Sequence, residues 1–207
     1  MEQAMQSFPN VQFSVDWCPF FLESSDLSMV ESPQFTATGQ HDQRISISDA
    51  LIEKYGSEKT QLMLTALKKA GSSVNISWNE SRVPCSTLLS HQLVQYAKRF
   101  GKQNETIDAI FSAYFEKAQN ISRIDVLSNI ARNVGLDCEE ARKYLQSGEG
   151  EETVKREARD GKLRYKVTGV PTFMISRPDK KKYRIRFSGA QPVEVFEAAF
   201  KQLLQFQ

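Results

Sequence analysis

Nucleophilic chemistry in this sequence would have to come from three cysteines, Cys18, Cys85 and Cys138. A thiolate attacks disulfides and binds soft metals, and its reactivity follows its pKa and exposure. The three lie 67 and 53 residues apart, so they form no CxxC pair and no metal-type spacing. Neither a disulfide framework nor a zinc site is written here, and no catalytic residue is assigned. For Cys85 and Cys138 the simplest reading is a small, half-buried thiol. Cys85 is the better exception, because a helix N-terminus follows it and would acidify an exposed thiol there.

Charge is the second chemical resource. From Met1 to Gln43 there are six carboxylates and no Lys or Arg. From Thr153 to Ser188 twelve Lys/Arg face only Glu157, Asp160 and Asp179. Such a stretch attracts phosphates or acidic partners. Its plainer reading is a solvated helix followed by a charged hairpin tip. No aromatic residue interleaves with Lys180–Lys182, as one would on a platform for single strands, so nucleic acid is not expected as a partner.

The chain of 207 residues is 40% hydrophobic and 25% charged, with a formal charge of +2. These values exclude a disordered chain, a collagen-like repeat and a basic nucleic-acid arm. No apolar run approaches the ~18 residues needed to span a bilayer. Met1–Gln6 has neither the basic start nor the apolar run of a secretory signal. Together with unpaired cysteines this favours a reducing, cytoplasmic setting.

The elements that must position these groups follow from periodicity. Glu2–Phe8 reads as the tail of a helix turned by Pro9-Asn10. Val11–Trp17 alternates apolar and polar residues, which predicts a half-buried strand ended by Pro19. Glu23–Arg44 reads as a long surface loop. Seven helices are then expected up to about Leu163. Ser48 is expected to cap the first, and Met63, Ala66, Leu67 and Ala70 form the stripe of the second. Leu89, Leu93, Tyr96, Ala97 and Phe100 face inward in the third. Ile107, Ile110, Phe111, Tyr114, Phe115 and Ala118 do so in the fourth. Ile124–Val134 forms the fifth, and Asp137 caps the sixth over Ala141, Tyr144 and Leu145. Val154 and Ala158 mark the seventh. Thr172–Ser176 and Tyr183–Phe187 predict an antiparallel hairpin with one buried face. Pro192 opens a last helix, whose inward residues are Val195, Phe196, Ala199, Phe200, Leu203 and Leu204. The fold class is α/β: residues 1–44 and 164–207 build a sheet domain, and 45–163 form a helical insertion.

Five stretches resemble one family in order along the chain. Trp17-Cys18-Pro19-Phe20-Phe21-Leu22 is similar to the W-x-P-F-x-L strand end of DsbA-like thioredoxin-fold proteins of the FrnE type. Ser86–Leu93 resembles their N-T-x-x-A-H-x-L segment, with Ser86 for Asn and Ser90 for Ala. Ile110–Phe115 resembles L-F-x-A-Y-F, Thr168–Phe173 resembles x-G-V-P-x-F, and Ser188–Gln191 matches S-G-A-Q. The resemblance implies a thioredoxin-like fold and thiol–disulfide oxidoreductase or isomerase activity on protein or peptide substrates, with no cofactor and no metal. It implies a cis Val170–Pro171 bond and a substrate-binding set of Gly169, Val170, Pro171 and Thr172. It also places His91 at the family's helix histidine, either lining a cleft or simply bonded to a neighbour.

The family carries its CxxC at the start of the helix that here ends near Phe8, so no residue occupies either cysteine position. The expectation is therefore that Met1 is an internal start, that the first strand is missing, and that this form is redox-inactive. In-frame upstream sequence encoding a strand and CxxC would confirm the internal start. A glutathione-dependent isomerase or transferase of the same fold is the alternative, with glutathione as partner, and a non-catalytic peptide-binding module is a third.

Overall fold

The computed structural model describes residues 1–22, 46–180 and 182–205. The expected loop Glu23–Arg44 lies outside the described residues. The chain divides into two units, Met1–Leu22 with Glu157–Gln207, and Glu23–Arg156.

The first unit is built on a hairpin. Strand β1 (Thr172–Ser176) pairs antiparallel with β2 (Arg184–Ser188), in the register Phe173↔Phe187, Met174↔Arg186 and Ile175↔Ile185. β-branched and aromatic residues at alternate positions favour this extended geometry, and they put Phe173, Ile175, Ile185 and Phe187 on one face. Helix α1 (Glu2–Gln6) and helix α9 (Val193–Gln205) carry the matching apolar residues. Ala4, Phe196 and Phe200 are the buried centre of this core. Phe196 meets Phe173 and Phe187 edge-on at 4.9 and 5.1 Å, and Phe200 meets Phe8 and Phe13 at 5.6 and 4.8 Å. Leu204, expected inward, is exposed instead, because Leu203 takes the buried position of that turn.

Val11–Trp17 is not a strand. Its side chains alternate between half-buried and exposed along the whole segment, as the pattern requires. Among the described residues, however, the sheet contains only β1 and β2. Alternation reports an extended backbone over a core; a strand also needs a ladder neighbour.

The second unit is helical: α2 (Ile47–Tyr55), α3 (Ser57–Ser72), α4 (Leu88–Lys98), α5 (Gln103–Phe111), α6 (Ile124–Asn133), α7 (Cys138–Ser147) and the start of α8 (Glu151–Leu163). Ser46, rather than Ser48, caps α2, its Oγ accepting from the Asp49 N–H at 3.2 Å. The α3 stripe is also rotated from expectation. Thr60, Leu64 and Gly71 are buried, whereas Met63, Ala66 and Ala70 are exposed. Trp78 explains the shift. Its ring lies so close to Gly71 that a Cβ there would strike it.

The fourth expected helix is α5 followed by one turn of π-helix, Ser112–Glu116. The loop before α4 closes that turn: the Asn79 N–H donates to Phe115 O at 2.8 Å and Asn79 Nδ2 to Glu116 O at 3.2 Å. Arg82 is buried, with its guanidinium over the Trp78 and Phe115 rings at 5.7 and 5.6 Å and Nη1 donating to Asn79 O. Phe100 and Phe111, expected inward, are 56% and 46% exposed at helix ends.

Asp137 caps α7 by accepting from the Glu139 and Glu140 N–H groups at 2.9 and 3.0 Å. Ala141, Tyr144 and Leu145 are buried below it. At the corner into α8, Gly150 has φ +85° and the Tyr144 hydroxyl occupies the place of a Cβ. Tyr144 itself stacks against Tyr96 at 5.0 Å and lies under the Arg99 guanidinium at 4.9 Å. Among the described residues no helix is long and apolar enough to cross a membrane.

Candidate functional site

The loop that feeds β1 is held by its own side chains. Residues 164–168 turn back from α8, with Arg164 and Tyr165 N–H both donating to Asp160 O at 2.9 Å and the Val167 N–H to Gly161 O. Thr172 Oγ1 then donates to Gly169 O at 2.7 Å, which ties the loop to the first residue of the strand. With its proton so used, Thr172 Oγ1 accepts from Ser188 Oγ at 2.9 Å. The Gly189 N–H donates to Pro171 O at 2.8 Å, so β2 clamps the loop from the other side. The Val170–Pro171 peptide bond is cis.

Between these anchors Val170 is 49% exposed. Among the described residues its amide and carbonyl take part in no backbone–backbone hydrogen bond. An N–H and a C=O presented from a fixed, exposed loop are the groups by which an extended chain adds itself to an edge. Gly169, Val170, Pro171 and Thr172 thus form one local structure.

His91 belongs to the helical unit. It lies in the first turn of α4, half-buried, with its N–H donating to Thr87 O at 3.0 Å. It shares no element with the loop.

No disulfide joins the three cysteines: Cys18 is exposed, and Cys85 and Cys138 are half-buried. Cys138 is the first residue of α7, and Arg132 Nη2 donates to its Sγ at 3.1 Å. That bond is the main reason the Arg132 guanidinium is pushed up from its ordinary pKa. Cys85 shares a neighbourhood with Tyr114 and Arg82. Burial raises the Tyr114 hydroxyl pKa most, the Cys85 charge adds to the rise, and Arg82 opposes it. Among the described residues no group of three or more His, Cys, Asp or Glu is arranged to hold a metal ion.

One cluster escaped sequence reasoning. On the outward face of the hairpin, Arg186 donates from Nη1 and Nη2 to the carbonyls of Tyr165 and Lys166 at 2.6 and 2.8 Å. Arg184 and Arg164 lie over the Tyr165 ring at 5.6 and 5.4 Å. The alternation of Arg184 and Arg186 along a strand was the signal that both would share a face. Tyr165 is brought there by the turn after α8, which periodicity does not reveal.

Comparisons with known proteins agree with this architecture. The chain is 30% identical over 89 residues to the uncharacterized protein YwbO of Bacillus subtilis (strain 168), covering 43% of this chain and 44% of that protein. It therefore spans under half the length of that relative. Among solved structures it is similar to a "probable DsbA oxidoreductase" of Streptomyces coelicolor, with a TM-score of 0.68 and 27% identity over 80% of this chain and 70% of the other. The α/β arrangement, mostly helical with a small sheet, is that of a thioredoxin fold carrying helices. The family model for the DSBA-like thioredoxin domain matches residues 1–201, loop, hairpin and helical unit together, and the chain belongs to that family.

Proposed function

We propose that this chain supplies the polypeptide-docking part of a thiol–disulfide oxidoreductase, and that its 207 residues by themselves do not turn over. The observation that carries this is the loop Gly169–Thr172. Val170 is exposed, its backbone is outside the local pairing, and Thr172 and Gly189 fix the loop around it. An extended protein or peptide substrate would pair with Val170 and be held for exchange. A CxxC dithiol is not in the sequence, whose three cysteines lie 67 and 53 residues apart. The five collinear motifs favour the FrnE-type subgroup. Three cysteines with no disulfide among them fit a reducing compartment.

Insulin reduction tests this reading. The chain alone should give at most slow, stoichiometric chemistry from its three thiols. Extended by a segment bearing a CxxC pair, it should turn over many times, and Val170→Trp should slow that turnover by covering the loop. Multi-turnover exchange by the 207 residues alone would overturn the proposal. So would an extended chain that stays inert.

A further inference from the structure

The substrate's chemistry is legible one step from the loop. The outward face of the hairpin carries Thr172 opposite Ser188, then Met174 opposite Arg186, then Ser176 opposite Arg184. Arg186 and Arg184 therefore lie on one face, two residues apart along β2, a separation of about 6.6 Å. Alternate side chains of any extended polypeptide repeat at the same distance. An extended chain lying along this face would thus offer carboxylates at positions i and i+2 to two guanidiniums with matching spacing.

These guanidiniums are already ordered. Arg186 is fixed by two carbonyls and still has three of its five N–H donors for a ligand. Arg184 rests on Tyr165, with Arg164 beside the same ring. Fixing a long side chain before the ligand arrives removes much of the entropy cost of binding, and a planar guanidinium suits a carboxylate's two oxygens. Among the described residues none of Arg164, Lys166, Arg184 and Arg186 pairs with a carboxylate. Elsewhere the molecule does pair its cations, as in Lys68–Glu80 and Arg99–Glu149. Tyr165, lying under two guanidiniums, is a poor platform for nucleic-acid bases.

We propose that the outward hairpin face, Arg184, Arg186 and the Arg164–Tyr165–Lys166 turn, selects acidic extended polypeptide segments for the neighbouring loop. This rests on the docking reading above. The face adds affinity and register for partners whose carboxylates alternate along the chain.

The test is fluorescence anisotropy on the full chain with three labelled probes of equal length: an alternating Glu-Ser peptide, an alternating Gln-Ser peptide and an oligothymidylate. The Glu-Ser peptide should bind about tenfold more tightly than Gln-Ser at low salt, and the gap should close as salt rises. Arg184→Gln should erase most of that preference while leaving Gln-Ser affinity unchanged. Arg184→Lys, which keeps charge and fold but loses the planar fork, should retain part of it. Val170→Trp should weaken both peptides alike.

Equal affinity for the two peptides overturns the inference, as does a preference untouched by either Arg184 variant. If Val170→Trp leaves both peptides bound while Arg184→Gln still removes the preference, the docking reading fails and the basic face stands alone. Tighter binding of oligothymidylate, lost with Arg184→Gln, would reassign the face to nucleic acid.

Discussion

The two units keep their charges differently. In the helical unit cations and carboxylates meet along helix faces and at corners, as in Lys102–Glu105, Lys143–Glu140 and Lys155–Glu151. Among the described residues its one deeply buried guanidinium, Arg82, is held by two rings and a carbonyl. In the sheet unit Arg177 pairs with Asp179, but Arg186 is held by two backbone carbonyls and Arg184 lies over a tyrosine ring. A cation held by neutral groups is ordered without being neutralised. Among the described residues most ion pairs lie in the helical unit, whereas Arg184 and Arg186 on the outward hairpin face pair with no carboxylate.

The cores differ in the same sense. The sheet unit packs a few phenylalanines around Phe196 and Phe200, whereas the helical unit distributes burial over many aliphatic positions such as Leu93, Leu127 and Leu145. The largest expected effect tests that contrast. Phe196→Ala should cost about 3–5 kcal/mol in denaturant unfolding, and hydrogen exchange should show protection lost first in β1, β2 and α9. Equal early loss across α4–α7 would break the distinction between the units.

Arg82 gives the next effect. Arg82→Leu removes the donor to Asn79 O and the cation over two rings, and should destabilise the helical unit by about 1–3 kcal/mol. Arg82→Lys should recover only part of this, since it keeps charge but not the planar stack. A loss too small to measure with Arg82→Leu would mean that the arrangement contributes shape alone.

The smallest effect concerns pH. The Glu140 and Glu139 N–H groups hold the Asp137 carboxyl below its ordinary pKa. A depressed folded pKa contributes stability in full above the unfolded value of about 3.9 and loses it as pH falls through the folded value. Asp137→Asn keeps the capping oxygen and removes the charge. Its melting temperature should therefore fall less steeply below about pH 4 than that of the parent, and parallel curves would rule this out.

Where local rules decided the structure, the sequence was sufficient. Asp137 over Ala141, Tyr144 and Leu145, the hairpin's period of two, and the Phe196–Leu203 face of α9 each follow from capping or periodicity. The family motifs reached the loop at Val170–Pro171, which periodicity alone would leave as an ordinary turn. What failed was decided by a neighbour. The α3 stripe of Met63, Ala66 and Ala70 loses to Thr60, Leu64 and Gly71 because Trp78 arrives from the following loop. Val11–Trp17 has a strand's alternation but no place in the described sheet. The Arg184–Tyr165–Arg186 cluster needs the hairpin register and the turn after α8 at once, and no linear pattern contains both.

The corner between α7 and α8 leaves one atom of room. With the Tyr144 hydroxyl filling the space above Gly150 and the backbone in a left-handed bend, even a methyl group would have to displace a ring that also braces Tyr96 and Arg99. A side chain at residue 150 would thus be strained twice over, by the neighbouring ring and by its own backbone.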